Sequence, residues 1–149
     1  MDELTQFLRK QTVIQIAPHG GEPWIANVLM ACESPEKLIF VGSQKTKYGQ
    51  MLLANSALAF ATAWHASDNH LDRKGVQGVG TATVATDRSD IEQGVRLHNE
   101  AYPEFSKRIT ADWIETNDVE SRVWLITPRY IKFWNDELYG ENGTKEFSF

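Results

Sequence analysis

Six short apolar runs, each closed by a cluster of turn-forming residues, constrain this chain more than any other feature. They are TVIQIA (Thr12 to Ala17), WIANVLMA (Trp24 to Ala31), LIFVG (Leu38 to Gly42), ALAFATAW (Ala57 to Trp64), VQGVGTATVAT (Val76 to Thr86) and VWLITPRYIKFW (Val123 to Trp134). Runs of this length, rich in β-branched and aromatic residues, read as strands. PHGGEP separates the first two, and Gly20 and Gly21 can take the positive φ of a tight loop, which predicts a hairpin. Ser34 to Lys37 (SPEK) turns the second run into the third. Turn-linked neighbours favour antiparallel pairing.

Helical patterns fall between the strands. Residues 2–10 predict one short helix, and Tyr48, Met51, Leu52 and Asn55 follow helical spacing in a second. Ser89 or Asp90 is placed to cap a third through Ile91, Val95 and Leu97 or His98. Pro103 separates it from a fourth, in which Phe105, Ile109, Trp113 and Ile114 supply the apolar stripe. The fold class expected is α+β, predominantly antiparallel β, with a barrel-like sheet and peripheral helices. The 149 residues fit one domain, with 1–11 as an N-terminal helical segment and 137–149, polar and glycine-bearing, as an exposed C-terminal tail.

Charge and cysteine content exclude several functions. The chain carries 15 Lys and Arg against 20 Asp and Glu, a net charge of −5, so it lacks the basic footprint of nucleic-acid binding. Cys32 is the only cysteine, which excludes an internal disulfide and a cysteine-rich metal site. MDELTQFLRKQ has no continuous apolar core of the signal-peptide kind, and no run is long enough to span a membrane. The expectation is a soluble, cytoplasmic protein with no membrane or nucleic-acid partner.

Two strands are lined with small residues. Ala57, Ala59, Ala61 and Ala63 share one face of the fourth run, and Gly78, Gly80 and Ala82 share one face of the fifth. Tight packing inside a small barrel accounts for both; a flat ligand or a partner strand is the alternative. In LIFVGSQKTKYGQMLLAN, an acidic protein places Ser43, Lys45, Thr46 and Lys47 between a strand and a helix. Open backbone N–H groups and the positive end of the helix dipole at such a place suit phosphate, and hydroxyls and ammonium groups add donors. A solvated turn is the plainer reading, because the spacing is not that of a P-loop and no GxGxxG is present. At the end of the last run, Pro128 breaks the pattern, Ile131 and Phe133 share the core face, and Trp134 lies on the other face.

In this order the segments GEPWIANVLM, LIFVGSQKTKYGQMLLANSALAF, VQGVGTATV and VWLITPRYIKFW resemble the pyridoxamine 5′-phosphate oxidase-like family of FMN-binding split barrels, over about Thr12 to Asp136. The resemblance implies a six-stranded split β-barrel, a homodimer with FMN in clefts at the subunit interface, and an FMN-dependent oxidoreductase acting on a small-molecule substrate or electron donor. By the same resemblance Ser43, Thr46 and Lys47, with Lys45, hold the phosphate; Asn27 and Val28 lie along the isoalloxazine; Val41 and Gly42 line the cofactor; Gln77 reaches its polar edge; and Trp134 contacts the ring system. Ala26 and Asn27 stand where the oxidases have an arginine, and NDELYGENG follows Trp134 in place of their arginine-and-histidine segment, so pyridoxamine 5′-phosphate is not the expected substrate.

No catalytic side chain is assigned, since a flavin carries its own redox chemistry. No metal motif links His19, His65, His70 and His98, and Asp112, Glu115, Asp118 and Glu120 read as a solvated acidic edge. Alternatives are a non-catalytic flavin-binding or sensing protein, a deazaflavin in the same cleft, and a haem-binding relative using His65, His70 or His98 as axial ligand.

Overall fold

A computed structural model describes residues 2–149. The order is α1 (Asp2–Lys10), β1 (Val13–Pro18), β2 (Ala26–Ser34), β3 (Lys37–Ser43), α2 (Lys47–Ala54), β4 (Ala57–His65), β5 (Arg73–Val84), α3 (Arg88–Ala101), a 3₁₀ turn (Pro103–Phe105), α4 (Ala111–Thr116), β6 (Ser121–Asn135), α5 (Asp136–Tyr139) and β7 (Thr144–Ser148). All six expected strands form, each antiparallel to its neighbours. The sheet runs β3-β2-β1-β4-β5-β6, and β6 pairs back onto β3, closing a six-stranded barrel; β7 is added beyond β6.

The long strand β6 makes this closure possible. Its first part pairs with β3, from Ser121 opposite Ser43 to Ile126 opposite Leu38. Its last part pairs with β7, from Tyr130 opposite Ser148 to Trp134 opposite Thr144. On its other edge it follows β5 from Trp124 to Asn135, with a register shift where Gly80 faces Pro128 and Val79 faces Tyr130. Pro128 has no N–H to give a ladder, and a bulge is where a strand tolerates it. The change of partner from β3 to β7 falls at that bulge.

Alternation then sorts the side chains. Ile14, Ile16, Phe40, Phe60, Val76, Trp124, Ile131 and Phe133 are buried inside the barrel. Trp124 stacks on Phe40 with ring centroids 5.8 Å apart and donates its indole N–H to the Gly42 carbonyl at 3.0 Å, which satisfies the polar end of a buried tryptophan. Leu4, Phe7 and Leu8 of α1 join this core, and Phe7 meets Phe133 at 5.3 Å. A second cluster lies outside the barrel, where Ile91 and Val95 of α3 and Ile114 of α4 pack with Ile109 and Val123 against Val41 and Leu125.

Four expectations need correction. Residues 137–149 are mostly exposed, as expected, but are not an unstructured tail: most of α5 and all of β7 lie there, because β3 leaves the edge of β6 open beyond Pro128 and Phe147 packs against the core. The third helix starts at Arg88 after Asp87, earlier than a Ser89 or Asp90 cap; Asp90 sits in its first turn, 3.9 Å from Lys37. The stripe from Phe105 to Ile114 is a 3₁₀ turn and a separate helix, since the Thr110 side chain accepts from Trp113 N–H and starts α4 anew. The alanine face of β4 turns outward and is not barrel packing: Leu58, Phe60 and Thr62 are buried on the opposite face.

The small face of β5 does point inward, and packing explains it. A Cβ at Gly78 would stand 2.3 Å from the Phe60 ring and 2.8 Å from the Tyr130 carbonyl oxygen. Gly78→Ala is therefore expected to destabilise the barrel by about 1–3 kcal/mol through overpacking. Thermal denaturation would show this as a fall in Tm of roughly 2–10 °C, partly restored by Phe60→Leu; an unchanged Tm would mean the ring moves aside without cost.

Candidate functional site

The connection from β5 to β6 lays α3, the 3₁₀ turn and α4 over the outer face of the barrel. A cavity of about 290 Å³ remains between this layer and β2 and β3. Its floor contains Asn27 and Val28, expected along the isoalloxazine, and Val41, expected to line the cofactor, and its walls include Tyr48, His98, Phe105, Arg108 and Trp113. Asn27 is exposed and turned outward, where its Oδ1 accepts a hydrogen bond from Gln15 Nε2 at 3.0 Å. Val28 packs against the barrel core, and Val41 against the helical layer.

Gly42 and Ser43 continue β3 from this floor to α2. Gly42 permits close approach, since a Cβ there would meet the Tyr48 hydroxyl at 1.9 Å. Burial pushes the Tyr48 phenol above its ordinary range. Ser43 Oγ donates to the Val119 carbonyl at 2.5 Å and accepts from Lys45 N–H at 3.0 Å. Thr46 is the N-cap of α2: its Oγ1 donates to the Ser43 carbonyl at 2.8 Å and accepts from Gly49 N–H at 3.0 Å. The first intrahelical bond runs from Gln50 N–H to the Thr46 carbonyl. The N–H groups of Lys47 and Tyr48 therefore have no protein acceptor among the described residues.

The two lysines are held nearby. Lys45 Nζ donates to the Asp118 carbonyl at 3.1 Å. Lys47 pairs with Glu22 and lies over the Trp24 ring, 4.2 Å from its centroid; this partner holds the Glu22 carboxyl below its ordinary range. The loop thus presents two open N–H groups, the helix dipole and two lysine side chains, with its hydroxyls already employed in shaping the turn.

Gln77 and Trp134 do not join this cluster within one chain. Gln77 faces outward on β5, and the cross-strand row Asn27, Gln15, Ala61, Gln77 puts it three strand spacings from Asn27, about 14 Å. It borders a separate apolar groove of about 380 Å³ with Gln15, Ala59, Ala61, Val79 and Tyr130. Trp134 lies near the far end of β6 from Ser121, half-buried with its ring over Gly75, where a Cβ would stand 2.5 Å away.

Sequence reasoning assigned no cofactor contact to Tyr48, Phe105, Arg108 or Trp113, and considered His98 only as a helix position and a haem ligand. Helical periodicity marks His98 as core-facing; only the fold carries α3 across β2 and β3. His98 is 3 % exposed, and its ring touches those of Tyr102 and Phe105. Burial lowers its pKa, opposed in part by the hydrogen bond to Asn99 and the charge of Glu104. His65 and His70 instead sit together at the exposed β4–β5 loop, with ring centroids 5.1 Å apart. Burial pushes the Cys32 thiol up to about 11, which keeps it protonated and unreactive. Among the described residues no three His, Cys, Asp or Glu are grouped to hold a metal, and no helix is long and apolar enough to cross a membrane.

No protein-family model matches the sequence, and no curated protein matches it. Solved structures do. A heme-binding protein from Mycobacterium smegmatis superposes with a TM-score of 0.72 at 15% identity over 93% of this chain and 53% of the other, so the chain spans about half that protein's length. A NimC/NimA family protein from Clostridium acetobutylicum gives 0.65 at 17% identity over 99% and 92% of the two chains. HutZ, the heme storage protein from Vibrio cholerae, gives 0.66 at 14% identity over 85% and 88%. Likeness at such identities defines the fold, and the fold is the split β-barrel with one added strand and peripheral helices.

The buried imidazole makes stability depend on pH. Its folded pKa lies below the ordinary 6.5, so the unfolded chain binds a proton that the folded chain refuses, and stability falls as pH drops below about 6.5. Urea denaturation of the native chain and of His98→Gln between pH 5 and 8 should show a smaller acid loss in the variant. Equal slopes would mean that His98 protonates as readily folded as unfolded.

Proposed function

We propose that this split barrel is an FMN-binding oxidoreductase, with the phosphate at the start of α2 and the ring system over β2 and β3. The observation that carries this reading is the donor set of one loop: the open N–H groups of Lys47 and Tyr48, with the side chains of Lys45 and Lys47 on the same loop, now held at the Asp118 carbonyl and at Glu22. That set fits a phosphate monoester. The cavity that begins beside it is walled by Tyr48, Phe105 and Trp113, which suits a flat aromatic ring. When bound, the flavin supplies the electron or hydride transfer; the chain's own residues bind and orient it and shield one face from water.

The separation of Gln77 and Trp134 from the other predicted contacts supports a homodimer. A second copy laid against the alanine face of β4 would bring these two residues to the first copy's cleft, and each cleft would then be built from both subunits. Pyridoxamine 5′-phosphate is not the proposed substrate, because Asn135 to Gly143 form α5 and its turns where the oxidases carry basic recognition residues. A haem-binding reading keeps one observation in its favour, the buried neutral imidazole of His98 beside the cavity. A visible spectrum of the purified protein divides the two: flavin bands that bleach with a reductant and return in air, or a Soret band.

Charge-assisted hydrogen bonds contribute roughly 1.5–3 kcal/mol each. Lys47→Ala, with Lys45→Ala beside it, is expected to weaken FMN about tenfold or more, a loss of at least ~1.4 kcal/mol, and to leave riboflavin nearly unchanged. Glu22→Gln, which frees Lys47, should act in the opposite direction. Fluorescence quenching at fixed ionic strength measures both ligands; equal losses for the two flavins, or none, would remove the phosphate from this loop. Trp134→Ala should leave the far-UV spectrum and barrel intact while weakening flavin and altering its absorbance. Light scattering on the same samples should give the dimer mass, and a monomer holding FMN tightly would contradict the shared cleft.

A further inference from the structure

We infer that the cavity under α3 reads the imide edge of a planar ring, with His98 Nε2 accepting the ring N–H and the Asn27 amide and Arg108 guanidinium donating to the flanking carbonyls. This rests on the flavin reading, since the pyrimidine ring of a flavin presents that edge, and it adds the residues that would recognise it. The hydrogen-bond network sets the direction of the first two groups. Asn99 Nδ2 donates to the Ile109 carbonyl at 2.8 Å, so Asn99 Oδ1 is an acceptor where it meets His98 Nδ1 at 3.1 Å. Nδ1 therefore carries the proton, and Nε2 is left with a lone pair.

No protein group among the described residues takes that lone pair. The only sealed, unpartnered side-chain atom among them is Asp72 Oδ1, so Nε2 is not fully sealed, and His98 is one of the residues lining the cavity. Asn27 is fixed in the same manner: Gln15 occupies its Oδ1, which leaves its NH₂ as a donor at the cavity floor. The Arg108 guanidinium makes no ion pair and no hydrogen bond among the described residues and rests over the Phe105 ring at 5.3 Å. One acceptor and two donors are the complement of a carbonyl, N–H, carbonyl edge. Tyr48, Phe105 and Trp113 supply the flat walls of this cavity of about 290 Å³. A porphyrin has no such edge, so the same groups argue for flavin over haem.

The test compares riboflavin with 3-methylriboflavin, which lacks the imide N–H; neither carries the phosphate that the α2 loop would hold. Fluorescence quenching of the native protein should show the methylated ring binding tenfold more weakly or worse. His98→Phe should bring riboflavin down to the level of the methylated ring and abolish the difference. Because His98 packs between Tyr102 and Phe105, the exposed Asn27→Leu serves as a second variant, expected to weaken riboflavin several-fold with an unchanged Tm. Equal binding of the two flavins by the native protein overturns the imide assignment and leaves FMN binding standing if the Lys47→Ala loss is seen. Failure of riboflavin and FMN alike to bind overturns both readings.

Discussion

Barrel closure by β6 is the constraint on which the rest of this structure depends. An open sheet of these six strands could not enclose Phe40, Phe60, Trp124 and Phe133; pairing the first part of β6 with β3 joins the two ends of the sheet and creates one interior. The same strand must then leave β3, and it does so at Pro128, where a bulge absorbs the missing N–H. Beyond that point its free edge receives β7. Glycine at 78 and 80 lets β5 follow closely, where any Cβ would strike Phe60, Tyr130 or the Thr127 carbonyl.

Closure also decides where the helices go. With the interior filled, the segment between β5 and β6 has only the outside of the barrel to cover, and Ile91, Val95 and Ile114 bury their apolar faces against Val41, Val123 and Leu125. Gly94 allows α3 to approach Val123 closely. This second cluster is small, and the cavity lies at its margin, where the helical layer spans β2 and β3 without filling the space. A candidate site at the edge of a rigid barrel is held by packing on the floor and by a thinner layer above it.

The polar groups around the cavity and loop are largely committed to one another. Ser43, Thr46 and Asn117 hold the β3–α2 turn against the start of β6, with Asn117 Nδ2 donating to the Ser121 carbonyl at 3.0 Å and Oδ1 accepting from Ser121 N–H at 2.8 Å. Such commitment orients what is left over. The groups left over are two helix N–H groups, one imidazole lone pair, one carboxamide NH₂ and the exposed guanidinium of Arg108, and all but the guanidinium are oriented by the hydrogen bonds around them.

The strands and most of the helices were legible in the sequence because each depends on local order: period-two alternation, helical spacing and turn chemistry. Ile131 and Phe133 were assigned to the core correctly for that reason. Which face of an alanine-rich strand points inward was not legible, because Ala57 to Ala63 and Leu58 to Trp64 satisfy alternation equally well until a closed barrel fixes an inside. Nor was β7, whose alternation is weak and whose position depends on the edge that β6 offers after its bulge. The cavity residues His98, Arg108 and Trp113 are separated from Asn27 by about half of the chain, and no spacing rule links them. The sequence by itself determined the elements, since those arise from neighbours a few residues apart; only the tertiary structure decided the site, since its groups meet through barrel closure and the packing of α3 across β2 and β3.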